Sequence, residues 1–193
     1  SWMEARIIRC NLSDRFWLPA LGRVDAMNKN FKGSHRGRKA QEVGFLGEVV
    51  AEAWFERCGI HFKDDRDKYT HDYTLNGSIT LDVKTKDRTV VPKIYYENSV
   101  PLYQTDYQRP EYYLFISLLR DKGFPPDEIQ RFTHAYILGA IDLITLESSG
   151  KRWDAKDVDP SNGTKFWTAC INVNMGQLIP LSDIKRTWGA VVG

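Results

Sequence analysis

The chain has 193 residues, 42% of them hydrophobic and 27% charged, with 27 Lys and Arg against 25 Asp and Glu. That balance suits one globular domain with a core of its own and argues against wholesale disorder. No run of 18 apolar residues is present, so no membrane span is expected, and the first ten residues lack the apolar stretch of a signal peptide. Three scattered cysteines, Cys10, Cys58 and Cys170, suit neither a disulfide framework nor a zinc knuckle and point to a reducing, cytoplasmic setting.

Residues 1–39 read as an N-terminal extension that ends in a basic loop. Lys29, Lys32, Arg36, Arg38 and Lys39 stand there with His35 and no acid, and Gly33 and Gly37 favour a loop. Such a segment is either a solvated loop or a contact for phosphates, with Arg36, Arg38 and Lys39 as the expected nucleic-acid-binding residues. Residues 40–193 read as an α/β domain. A helix is predicted from Ala40 to Cys58, because Val43, Leu46, Gly47, Val50 and Trp54 recur on one helical face and Gly59 is a natural stop. Lys63 to Lys68 reads as a loop. Two strands, His71 to Leu75 and Ser78 to Lys84, are then joined at Asn76-Gly77, a strong hairpin signal. Leu102 to Tyr107 reads as a short helix, and Tyr112 to Leu119 as a central strand buried on both faces. Ala135 to Ile141 and Trp167 to Val173 are further strands, Gly150 to Gly163 a surface loop, and Ser182 the cap of a last helix through Trp188. The sum is a central mixed β-sheet flanked by helices.

Register gives the hairpin its interest. In the second strand Ile79, Leu81 and Val83 share one face, and Thr80, Asp82, Lys84 and Lys86 the other. A two-residue turn at Asn76-Gly77 would mix polar and apolar residues on both faces, which a half-buried sheet resists. Two three-residue loops avoid this. With Asn76-Gly77-Ser78 as the loop, Asp72 faces Asp82; with Leu75-Asn76-Gly77, Asp72 lies diagonal to it. Either way two carboxylates share a face, a destabilising arrangement that a divalent cation would neutralise. Glu48, mid-helix and flanked by Gly44 and Gly47, supplies a third carboxylate, since small residues there let the helix approach the sheet closely.

Glu48 on a helix, Asp72 in the first hairpin strand and Asp82-Val83-Lys84 in the second resemble the PD-(D/E)xK nuclease superfamily, with its restriction-endonuclease-like fold. The likeness covers roughly residues 40–119. It departs from the usual form at His71-Asp72, where Pro-Asp is common, and Lys86 competes with Lys84 for the lysine position. The resemblance implies a metal-dependent endonuclease that hydrolyses phosphodiester bonds in DNA. Asp72, Asp82, the Val83 carbonyl and Glu48 would hold Mg2+, with Mn2+ able to substitute. Glu48, Asp72, Asp82 and Lys84 would form the catalytic set, with Lys84 orienting or deprotonating water and stabilising charge. Lys86 joins the expected DNA contacts, and a homodimer would serve coordinated double-strand cuts. The alternatives are a non-catalytic nucleic-acid-binding module on the same fold, and an interaction protein in which Asp-x-Lys is coincidental. His35, His61, His71 and His134 have no zinc-site spacing, and neither a P-loop nor a nucleophile elbow is present.

Overall fold

The computed structural model describes residues 6–29 and 37–192. In chain order the elements are β1 (Ile8–Asn11), α1 (Asp14–Lys29), α2 (Arg38–Cys58), β2 (Phe62–Asp64), β3 (Tyr73–Leu75), β4 (Ile79–Arg88), β5 (Glu97–Pro101), α3 (Leu102–Thr105), β6 (Tyr112–Arg120), β7 (Phe132–Asp142), α4 (Leu143–Ser149), β8 (Lys151–Trp153), β9 (Cys170–Asn174) and α5 (Leu181–Thr187). Six strands form one mixed sheet in the order β1-β7-β6-β4-β3-β2, and three form a second in the order β5-β9-β8. Within the large sheet β4 and β6 run parallel, while the other neighbours are antiparallel. A parallel pair needs a crossover. Here the crossover carries β5 and α3, which deliver the first strand of the small sheet.

Each face of the large sheet has its own core. On one, α1, α2 and α5 bury Phe16, Leu46, Val50, Phe55 and Trp188 against Leu75, Leu81, Leu114 and Ile116. On the other, Tyr113, Phe115, Leu138 and Ile141 pack against Ile171 and Val173 of the small sheet and Leu146 of α4. Alternating residues of β6 feed both cores, so Tyr113 through Leu118 are all buried, as expected for a central strand. The architecture is thus α/β, a mixed sheet with flanking helices. None of its described helices is long and apolar enough to cross a membrane.

In the stretch read as an N-terminal extension, β1 pairs with the outer side of β7, and α1 lays Phe16, Ala20 and Val24 into the helical core. Pro19, inside α1, hides this helix from a sequence reading, because proline forgoes one helical hydrogen bond and reads as a break. The apolar spacing of i, i+4 and i+8 outweighs it. Likewise β8, with buried Trp153, lies inside the stretch read as a surface loop. The predicted cap at Ser182 moves to Pro180, which makes no side-chain cap bond. Gly59 ends α2 in the left-handed conformation, φ 69°, as its position predicts.

Candidate functional site

The turn between β3 and β4 sets the geometry. Asn76 and Gly77 both have positive φ, 49° and 79°, and Ser78 N–H donates to the Leu75 carbonyl at 3.1 Å. Tight hairpin turns need such conformations. The pairs Leu75–Ile79, Thr74–Thr80 and Tyr73–Leu81 then leave Asn76-Gly77-Ser78 as a three-residue loop, the register in which Asp72 faces Asp82. Tyr73 and Leu81 turn into the helical core, and the same register continued sets Asp72 opposite Asp82.

β3 starts at Tyr73, so the β4 backbone beyond Leu81 has no strand partner on that side. Asp72 takes over. Its own N–H donates to the Leu81 carbonyl at 3.0 Å and to Asp82 Oδ1 at 3.0 Å, while its Oδ2 accepts the Val83 N–H at 2.9 Å. A strand residue sends its N–H and C=O to the same side. The Val83 carbonyl therefore leaves β4 on the side of Asp72, while the Val83 side chain is buried in the helical core.

Lys84 follows on the Asp82 face. Its Nζ lies 3.9 Å from Asp82 Oδ2 and donates to Gln104 Oε1 of α3 at 2.6 Å. Glu48 comes from the other layer. An added Cβ on Gly47 would fall 1.8 Å from Thr85 Oγ1, so α2 crosses β4 at a distance that only glycine permits, whereas Gly44 has nothing within 4 Å. The close approach expected of both glycines is thus carried by Gly47 alone. Glu48 Oε2 accepts from Arg66 Nη1 at 2.8 Å and lies 3.7 Å from Arg23 Nη1. Arg66 also clasps Asp64 through Nε and Nη2 at 2.9 and 2.7 Å, and Arg23 clasps Glu52 at 2.8 and 2.9 Å. Among the described residues no three His, Cys, Asp or Glu side chains are placed to hold one ion; the assembled unit is Asp72, Asp82, the Val83 backbone and Lys84, with Glu48 beside it in the hands of Arg66.

Burial dominates the electrostatics. It raises the Asp82 carboxyl to about 6 and Glu48 to about 7, in each case reinforced by the like charge of Asp72; Lys84 pulls Asp82 back, and Arg66 does the same for Glu48. Asp72 is raised by burial as well. Three carboxylates that resist ionisation, one with a lysine ammonium at 3.9 Å, form the kind of cluster that functional sites collect. His71, where the resembling family commonly has proline, shares a hydrogen bond of 2.9 Å with Asp65 Oδ2, which Thr74 also reaches. The imidazole thereby anchors the residue next to Asp72 to the loop before it.

The remaining expected residues lie apart. Arg38 pairs with Asp25 at 3.4 Å and Lys39 with Asp127 at 3.7 Å. Both stand at the start of α2, about 15 Å from Glu48 by the helical rise. Arg36 falls outside the described residues. Lys86 lies further along β4, with Nζ 3.4 Å from the Glu97 carbonyl. Sequence reasoning missed Arg66, a cation in the polar stretch before the hairpin with nothing local to tie it to Glu48. Gln104 was visible as a polar residue on the short helix, but its bond to Lys84 depends on the crossover. No family model and no curated protein matches the chain.

Proposed function

We propose that this chain is a metal-dependent nuclease acting on DNA, an endonuclease with a restriction-endonuclease-like core. The observation that carries the reading is the interlocked Asp72–Asp82 pair with Lys84 at its side. Support for the fold comes from the order helix, hairpin, crossover and parallel strand, which α2, β3-β4, the β5-α3 crossover and β6 follow.

The donor set fits a hard divalent cation. Asp72 and Asp82 present buried like charges, and the Val83 carbonyl adds a neutral oxygen on the same side. Mg2+, or Mn2+ in its place, would be held by these three groups, and when bound it supplies the Lewis acidity that polarises a phosphodiester and eases deprotonation of water. The protein does the rest. Lys84, steadied by Gln104, holds its ammonium beside the attack position and stabilises the extra negative charge on the phosphate. Glu48, held by Arg66, would order water or help hold the ion once that tie is broken. The tie between Glu48 and Arg66 favours one other reading, a nucleic-acid-binding module that keeps the carboxylates occupied and cuts nothing.

Incubation of supercoiled plasmid and of single-stranded circles with Mg2+, Mn2+ or EDTA separates the two. The nuclease reading expects metal-dependent nicking that Asp82→Ala abolishes. Binding without cleavage under every metal condition leaves the binding module.

A further inference from the structure

Past Lys84, β4 continues to a cavity of about 530 Å³ formed where the large sheet meets the small one. Lys86 and Arg88 form one side of it, on the same strand face as Asp82 and Lys84. Arg88 Nη2 donates to the Glu97 carbonyl at 2.6 Å, and Lys86 Nζ reaches the same oxygen at 3.4 Å. Two cations therefore share one neutral acceptor. Among the described residues neither forms an ion pair, and Arg88 Nε is buried with no acceptor at all.

The two acids that line the cavity are hydrogen-bonded to neutral partners, and of the two Glu97 also faces Lys86. Glu97 Oε2 accepts from Asn172 Nδ2 at 2.7 Å, and Asp159 Oδ1 accepts from the N–H and hydroxyl of Ser161 at 2.9 and 2.7 Å. A concave site with paired cations and an unmet buried donor calls for an anion. Tyr95, Tyr96 and Phe166 share its otherwise polar walls. The Arg88 guanidinium sits 4.9 Å above the Tyr96 ring, and Tyr95, a residue 64% exposed, stands edge-on to Tyr96. Cationic groups beside an open aromatic face are the complement of a nucleotide, phosphate on the cations and base on the ring.

We propose that this cavity is a nucleotide-binding pocket, taking a phosphate on Lys86 and Arg88 and a base against Tyr95. Lys86 is four residues beyond Asp82, about 13 Å by the strand rise, so the pocket is near enough to the carboxylate pair to hold a nucleotide of the same nucleic acid. That link rests on the nuclease reading; the pocket itself does not. Stacking requires an unpaired base, so the occupant is a nucleotide of a single strand, with a free nucleotide as the other source of the same chemistry.

The test uses the full chain in EDTA, so that cleavage plays no part. The probes are a 5′-phosphorylated single strand carrying 2-aminopurine, the matching duplex, and dAMP as competitor. The wild type should bind the single strand more tightly than the duplex, with quenched 2-aminopurine fluorescence. Lys86→Ala and Arg88→Ala should each weaken binding 10-fold or more, and Tyr95→Ala should weaken it about 10-fold and remove the quench. Tyr95 is exposed, so its variant tests the pocket without threatening the fold. Competition by dAMP supports the pocket with a free nucleotide as ligand; a strand that dAMP does not displace supports the strand-bound form. Unchanged affinity and quench in both Tyr95→Ala and Lys86→Ala overturn the pocket. Plasmid nicking by the same preparations separates the claims: a wild type that never nicks DNA but shows these losses defeats the nuclease reading alone, and one that nicks but shows no losses defeats the pocket alone.

Discussion

Asp82 holds the backbone of Asp72, and Asp72 holds the backbone just past Asp82: the Asp72 N–H donates to Asp82 Oδ1 at 3.0 Å, and the Val83 N–H donates to Asp72 Oδ2 at 2.9 Å. The two carboxylates therefore continue the β3–β4 ladder where its backbone pairing ends, and they do so in a buried place where like charges repel. Geometry and charge oppose each other, and the divalent cation proposed for this site would reconcile them.

This opposition separates two substitutions at one position. Asp72→Ala leaves the Val83 N–H without its acceptor and should cost about 1–3 kcal/mol. Asp72→Asn keeps a carbonyl acceptor and removes one charge, so in EDTA it should be at least as stable as the wild type. Urea unfolding midpoints in EDTA measure both. Asp72→Asn should still lose cleavage, the trade expected where a site is built for function rather than stability.

The pH response has a defined sign. Asp82 and Glu48 have folded-state values of about 6 and about 7 against ordinary values of 3.8 and 4.5. Between about pH 4 and 7 the folded chain thus binds protons that the unfolded chain does not, and stability without metal falls as pH rises through that window. Carboxyls held below their ordinary range, such as Asp64 and Asp159, act in the opposite sense and below about pH 4. Thermal scans in EDTA at pH 5 and 7.5 should show a lower midpoint at 7.5. Asp82→Asn should flatten that difference, and Mg2+ should restore stability mainly at the higher pH.

Lys84 and Gln104 should differ in degree. Lys84→Ala should keep Mg2+ binding and lose cleavage by 10²-fold or more, the scale of a lost charge stabiliser or general base. Gln104→Ala removes only the partner that steadies the ammonium, and about 10-fold is expected. Single-turnover cleavage at saturating Mg2+ reads both. Wild-type rates from Lys84→Ala would move the lysine's role to Lys86 or remove it altogether.

Gly47 tests whether the packing of α2 matters to chemistry. A methyl group there would meet Thr85 Oγ1 at 1.8 Å and Thr85 Cβ at 2.7 Å. Gly47→Ala should push the helix off β4, cost about 1–3 kcal/mol and carry Glu48 away from Asp72. Thr85→Ala removes the nearest clashing atom and should recover part of the loss. A double-mutant cycle on urea midpoints and on cleavage rate measures the coupling.

Much of this is legible in the order of residues alone. The face-sorting of Tyr73, Leu75, Ile79 and Leu81 selects a three-residue turn and puts Asp72 and Asp82 on one face, while direct rather than diagonal opposition is decided by the Leu75–Ile79 pairing. The apolar run from Tyr112 to Leu119, interrupted only by Ser117, marks the central strand. The features that escape a sequence reading depend on long-range pairing. Short strands such as β8 gain their identity from β9, not from local propensity. Arg66 reaches Glu48 from 18 positions away, and Gln104 reaches Lys84 from 20, contacts that no periodicity encodes. β1 carries too little pattern in four residues to be told from loop, and it becomes a strand because β7 offers it an edge.

The central claim is that Asp72 and Asp82 hold a divalent cation, and calorimetric titration of Mn2+ into the metal-free chain at pH 7.5 tests it most directly. Saturable binding that Asp82→Ala abolishes and Lys84→Ala preserves is the expected result. No binding by the wild type, or undiminished binding by Asp82→Ala, would contradict it.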